Sequence, residues 1–264
     1  MRYTRLIACG DSFTEGMCDE TVDGQYRGWS DRVADVLSQD VPEFTYANLA
    51  VRGKLVHQVV ADQVPLALSF VTGSETLVSF HAGANDVIRP KYRPELVLPL
   101  YAATVRKIAA SGATVLLFTV LERTGAKGKT ADLWAARFGP FNQNVRSVGK
   151  EVGAIISDAN EEDLLSDWRF LASDRLHLNP IGHDRLAQAI LEKLGFPFAP
   201  TWRTPLPPQD PPRRWQNPYE NSKWFVSFLA PWLWRRLRGK SSGDGRSAKH
   251  SQPIAWPASR RPLE

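Results

Sequence analysis

Apolar and polar positions along this chain switch repeatedly between two periods. Leu6-Ile7-Ala8-Cys9 is a short uninterrupted apolar run, the mark of a strand buried on both faces. Gly28–Leu37 then carries apolar residues at 29, 33, 36 and 37, one stripe of a helix with polar residues opposite. Phe44–Ala50 predicts a second strand, and Leu55 to about Leu68 a helix that Pro65 kinks or divides. Thr76–Phe80 predicts a third strand. Leu96–Ala110 follows as a helix closed by Ser111-Gly112. Thr114–Val120 is the most β-branched apolar run in the chain and predicts a fourth strand. A helix within Ala131–Val152, a fifth strand at Ala154–Ser157 and a last helix over Pro180–Leu194 complete the series. Strands this continuously apolar, alternating with helices, predict a parallel sheet covered on both faces.

In such sheets ligands bind outside the carboxyl ends of the strands. Candidate chemistry collects there. The first strand stops at Gly10 and Asp11-Ser12 follows; Val51-Arg52-Gly53 ends the second; His81-Ala82-Gly83-Ala84-Asn85-Asp86 ends the third. A serine hydroxyl is a poor nucleophile at neutral pH, so chemistry at Ser12 requires a base, a group that orients the base, and donors for an oxyanion. Asp174-Arg175-Leu176-His177 lies in a loop that enters a helix at Pro180. A carboxylate three residues before a histidine can fold back onto one imidazole nitrogen and leave the other for the serine proton. Each fragment also has an ordinary reading. Asp11-Ser12 is a common turn or helix cap, and Asp174 with His177 a surface pair.

Together these blocks resemble the SGNH (GDSL) hydrolase family. The resemblance rests on Gly10-Asp11-Ser12, Asn48-Leu49-Ala50-Val51-Arg52-Gly53, Gly83-Ala84-Asn85-Asp86 and Asp174-Arg175-Leu176-His177, in that order between about Arg5 and Leu194. Phe13 stands where the family name has leucine, a conservative exchange. The resemblance implies a flavodoxin-like three-layer α/β/α sandwich around a five-stranded parallel sheet. It implies Ser12 as nucleophile, His177 as general base and then acid, and Asp174 as its orienting carboxylate. The oxyanion hole would combine the backbone N–H of Ser12, that of Gly53 and the side-chain amide of Asn85. The expected activity is hydrolysis of a small ester, of short or medium acyl chain, with substrate choice resting in loops such as Thr124–Thr130.

Other titratable residues have plainer expectations. His183 opens the last helix and reads as structural, Asp86 as a brace for the Asn85 loop; His57 and His81 carry no required role. No cluster has convincing metal spacing and no cofactor motif is present, neither Gly-x-Gly-x-x-Gly nor a P-loop lysine. Cys9 and Cys18 are the only cysteines, too few for a disulfide framework. With no leader-like segment and no apolar run long enough to span a bilayer, the expected location is cytoplasmic.

Charge divides the chain. The net charge is +5, but from Thr201 onward twelve Lys/Arg stand against four Asp/Glu, with six of the nine tryptophans and ten of the nineteen prolines. This shift marks a hydrolase domain over 1–200 and a Pro/Trp-rich basic extension over 201–264. In the extension a helical stripe near 222–238 carries aromatic residues at 224, 225, 228 and 232 and leads into arginines. Such a stripe either docks on the domain, the commoner outcome, or lies against an anionic membrane surface. From Ser241 the composition suggests a flexible end. No specific nucleic-acid partner is expected. The rival to an ester hydrolase is a surface-binding module built on this extension, with a vestigial hydrolase site.

Overall fold

The computed structural model describes residues 2–122, 129–161, 166–209, 218–238 and 240–256. Most of the loop Thr124–Thr130, and Pro211, Pro212 and Trp215 of the extension, lie outside the described residues. Five parallel strands stand where the apolar runs place them: β1 (Arg5–Gly10), β4 (Thr45–Asn48), β5 (Thr76–His81), β6 (Thr114–Phe118) and β7 (Ile155–Ser157). The short strands β2 (Thr21–Val22) and β3 (Gln25–Tyr26) form a separate antiparallel hairpin. Sheet order is β7-β6-β5-β1-β4, so the chain reverses its direction of travel beside β1, where Gly10 pairs with His81.

The sheet has six strands rather than five. The sixth, β8 (His250–Ala255), comes from the extension and pairs antiparallel with β4, Thr45 opposite Ala255 and Tyr46 opposite Ile254. The expectation of a flexible end from Ser241 is therefore corrected. Pro253 is tolerated because β8 is an edge strand, where a missing N–H breaks no ladder on its outer side. Trp256 follows it into the core, donating from Nε1 to Asp35 Oδ1 at 2.8 Å with its ring edge-on to Tyr46.

Alternate residues of each strand face opposite layers. Ile7 and Cys9 pack with α3 (Val56–Asp62), α4 (Val64–Ser69), α6 (Pro94–Ala110) and α7 (Lys129–Val152); Leu6 and Ala8 pack with α2 (Gly28–Leu37) and α8 (Pro180–Leu194). The helix expected over Leu55–Leu68 divides at Gln63, two residues before Pro65. Two four-residue turns of helix, α1 (Ser12–Glu15) and α5 (Ala84–Val87), each follow the end of a strand.

Within the extension, α9 (Pro218–Trp224) runs through a π-helical turn (Phe225–Leu229) into α10 (Ala230–Leu237). The aromatic stripe does not dock as a unit. Trp224 packs against the domain, whereas Phe225 and Phe228 are 47% and 38% exposed. Among the described residues no helix is long and apolar enough to cross a membrane.

Candidate active site

Close packing at the end of β1 dictates where Ser12 stands. A Cβ on Gly10 would lie 2.6 Å from the His81 carbonyl, so only glycine lets β1 and β5 meet there. Buried Gln63 clasps the same residue, accepting from Gly10 N at 2.8 Å and donating to Gly10 O at 2.9 Å. The chain then turns into α1, with Asp11 as its cap accepting from Phe13 N at 3.1 Å. Ser12 opens this helix, so its N–H belongs to the first turn, where no intrahelical acceptor exists.

Ser12 and His177, 165 residues apart, meet at this edge. His177 Nε2 lies 3.0 Å from Ser12 Oγ, and its Nδ1 lies 2.5 Å from Asp174 Oδ2. Asp174 folds back as its spacing suggests: Oδ1 also accepts from the backbone N–H groups of Leu176 and His177 at 3.0 Å each. Burial pushes the Asp174 carboxyl up. The hydrogen bond and charge of His177 and the two backbone donors outweigh burial and hold it below the ordinary carboxylate value. It is an anion at neutral pH, suited to support an imidazolium.

Gly53 and Asn85 arrive at the same edge from β4 and β5. Gly53 is in the left-handed region at φ +74°. The loop before it is tied to α1, because the Glu15 carboxylate accepts from Arg52 N at 2.7 Å and Arg52 Nε at 2.9 Å. Asn85 Nδ2 donates to Asp11 Oδ2 at 2.8 Å and, over a longer 3.2 Å, to Lys54 O. Asp11 thus joins the serine turn to the asparagine loop, a role its sequence reading as a cap does not contain. Asp86 braces that loop, its Oδ2 accepting from Val56 N at 2.9 Å.

The remaining candidates fall outside the relay. His183 is buried, lies with Nε2 3.1 Å from Met17 O, and is pushed down to about 4 by burial, which keeps it neutral. His81 is buried with its ring 4.4 Å from that of Phe13. Cys18 places Sγ 3.7 Å from Asp174 Oδ2. Burial, and then the charge of that carboxylate, push the thiol up to about 12, so it stays protonated. Ligand atoms of Cys18, Asp174 and His177 lie within 4.8 Å of one another. The aspartate and histidine of that set are already engaged with each other. Glu15, Arg52 and Gln63 are the supports that sequence reasoning missed; only the position of Glu15 three residues after Ser12 hinted at one of them.

The model of the GDSL-like lipase/acylhydrolase family matches residues 8–185. No curated protein matches the chain. Among solved structures it is similar to an acetylxylan esterase from Geobacillus stearothermophilus, at 19% identity and TM-score 0.58 over 74% of this chain and 96% of that one. An α/β hydrolase from the metagenome of Lake Arreo, Spain, is similar at 19% identity and TM-score 0.58, over 74% and 97%. A psychrotrophic esterase from Pseudoalteromonas sp. is similar at 15% identity and TM-score 0.54, over 73% and 97%. At these identities the likeness is one of fold.

Proposed function

Because the chain belongs to the GDSL-like lipase/acylhydrolase family and is a carboxylic ester hydrolase of that type, we propose that it cleaves esters of short or medium acyl chains, acetyl esters first among them, through an acyl-enzyme on Ser12. The observation that carries this reading is the unbroken run of short contacts from Ser12 Oγ through His177 to Asp174.

In the first half-reaction Ser12 Oγ attacks the ester carbonyl carbon as His177 Nε2 takes the hydroxyl proton. Charge on the carbonyl oxygen is met by the N–H groups of Ser12 and Gly53 and by the Asn85 amide. Of the two hydrogen bonds Asn85 donates, the one to Lys54 O is the longer, and the oxyanion competes for that hydrogen. The carbon–oxygen bond to the alcohol then breaks and His177 returns the proton to the leaving oxygen. Water repeats the sequence on the acyl-enzyme, with His177 again as base, and releases the carboxylic acid and free Ser12. Asp174 stays ionised throughout, holding Nδ1 and stabilising the imidazolium. Acetyl leads the substrates because, among the described residues, no long apolar insertion interrupts the domain to house an acyl chain, and because one structural neighbour is an acetylxylan esterase.

Turnover of p-nitrophenyl acetate, butyrate and octanoate by wild type and Ser12→Ala tests this reading. The expected result is fastest cleavage of acetate and no enzymatic rate in Ser12→Ala. Equal rates in both proteins would favour a binding module with a vestigial site.

A further inference from the structure

The extension touches the catalytic machinery in two places that are far apart in sequence. Arg175, between Asp174 and His177, has φ +61°. A side chain with a Cβ is held in that left-handed region only when its surroundings fix it. The loop's own backbone closes its base, with Ala172 N donating to His177 O at 2.8 Å and Arg175 N to Ala172 O at 2.9 Å. What grips the tip comes from α9. Trp224 Nε1 donates to the Asp174 carbonyl at 2.9 Å, and the Arg175 guanidinium lies 5.0 Å over the Trp224 ring. Both Nη atoms of Arg175 donate to Asn221 Oδ1 at 3.1 Å.

The second contact lies on the opposite component of the site. Ser241 Oγ donates to the Gly53 carbonyl at 3.2 Å. Gly243 packs so tightly on the Arg52 carbonyl that a Cβ there would collide with it. That carbonyl belongs to the peptide carrying the Gly53 N–H. In a trans peptide the N–H points opposite to the C=O, so seating the carbonyl on Gly243 turns the Gly53 donor away from the extension. The strand β8 anchors this turn from its far side, through its ladder to β4.

We propose that the extension positions the reacting groups, with Trp224 and Asn221 as positioning residues for the Asp174–His177 loop and Ser241 as one for the Gly53 loop. It rests on the reading of Ser12, His177 and Asp174 as the acyl-transfer machinery. None of these extension residues touches the reacting atoms. Each acts on the backbone beside a group that does, so its loss appears in kcat rather than in KM.

The test compares wild type, Trp224→Phe, Asn221→Ala, Ser241→Ala and Ser12→Ala, each as the whole chain, on p-nitrophenyl acetate. It reads kcat, KM, the pH profile of kcat/KM and the melting temperature. Trp224→Phe keeps an aromatic face for the Arg175 guanidinium but loses the indole N–H. Its kcat is expected to fall about 10- to 100-fold, the scale on which a small displacement of a catalytic group tells, with KM within about twofold. The acid limb of its kcat/KM profile, which reports the base of the free enzyme, is expected to move. Asn221→Ala and Ser241→Ala should change kcat in the same direction by less. Wild-type kcat and pH profile in a folded Trp224→Phe, or a raised KM with unchanged kcat, overturns the proposal. If Trp224→Phe melts without cooperativity, Asn221→Ala decides by the same criteria. A wild type no faster than Ser12→Ala would instead remove the reading beneath the proposal, and the two failures are told apart in one plate.

Discussion

Replacing Lys249 by methionine isolates one buried charge contributed by the residue just before β8. Lys249 Nζ donates to Asp31 Oδ1 at 2.9 Å, to Asp31 Oδ2 at 3.0 Å and to Arg27 O at 2.9 Å. The lysine side chain is only 4% exposed and that of Asp31 9%. Methionine has a similar length and fills much of the same channel, so the loss is chiefly electrostatic. Removing one member of a buried ion pair costs about 3–5 kcal/mol, because the other is left uncompensated. Asp31 makes the cost depend on pH. Burial pushes its carboxyl up to about 6, although the Lys249 charge and the Tyr46 hydroxyl pull it back. A carboxyl whose folded value exceeds its unfolded one takes up a proton on folding, so stability falls as pH rises from the ordinary 3.8 through about 6. Without Lys249 the folded value climbs further and that falling window extends upward. Urea unfolding of wild type and Lys249→Met should therefore differ most near pH 8 and least near pH 4. Adding Asp31→Asn to Lys249→Met should recover much of the loss at the higher pH. An unchanged midpoint at the higher pH, or the same deficit at both, would refute the reasoning.

Three further outcomes are expected. Asn85→Ala should lower kcat on p-nitrophenyl acetate by about 10²–10³, the usual cost of one oxyanion donor, with a cooperative melt retained. Gly53→Ala forces a Cβ into the left-handed region and against Ser241 Oγ, so it should lower both kcat and the melting temperature, the backbone strain alone costing about 1–3 kcal/mol. His183 is neutral in the fold, but the unfolded chain takes up its proton below the ordinary 6.5. Its contribution is complete above that value and is lost as pH falls toward about 4, so His183→Gln should flatten wild type's loss of stability across that window in a pH series of chemical unfolding.

Period and turn chemistry made most of the fold legible. Helix α8 begins at Pro180 and ends at Leu194 as its apolar spacing predicts, because a proline and an αL glycine bound it locally. The positions of Ser12, Asp174 and His177 at a strand end and a helix entry leave ordinary readings open, and the set is legible in the sequence through the family resemblance of the four blocks together. Strand β8 was not. Its sequence, His250-Ser251-Gln252-Pro253-Ile254-Ala255, lacks a buried-strand pattern, and it pairs because β4 offers an open edge and Trp256 a side chain to bury. The supporting contacts were invisible for the same reason. Gln63 on Gly10, Glu15 on Arg52 and Asp11 on Asn85 are polar pairings whose value arises only when the sheet brings their elements together. The aromatic stripe near 222–238 shows the opposite limit. A helical period reports which residues share a face, and here only Trp224 of that face finds the Asp174 carbonyl.

The central claim is that His177 activates Ser12 for attack on an acyl carbon. An aryl or alkyl fluorophosphonate reports this directly, since the activated oxygen displaces fluoride and stays covalently phosphonylated. Intact-mass and peptide mass spectrometry should find one equivalent, on Ser12, in wild type, none in Ser12→Ala, and labelling slowed by about 10³-fold or more in His177→Ala. Modification at another residue, or equal labelling rates in wild type and His177→Ala, would contradict it.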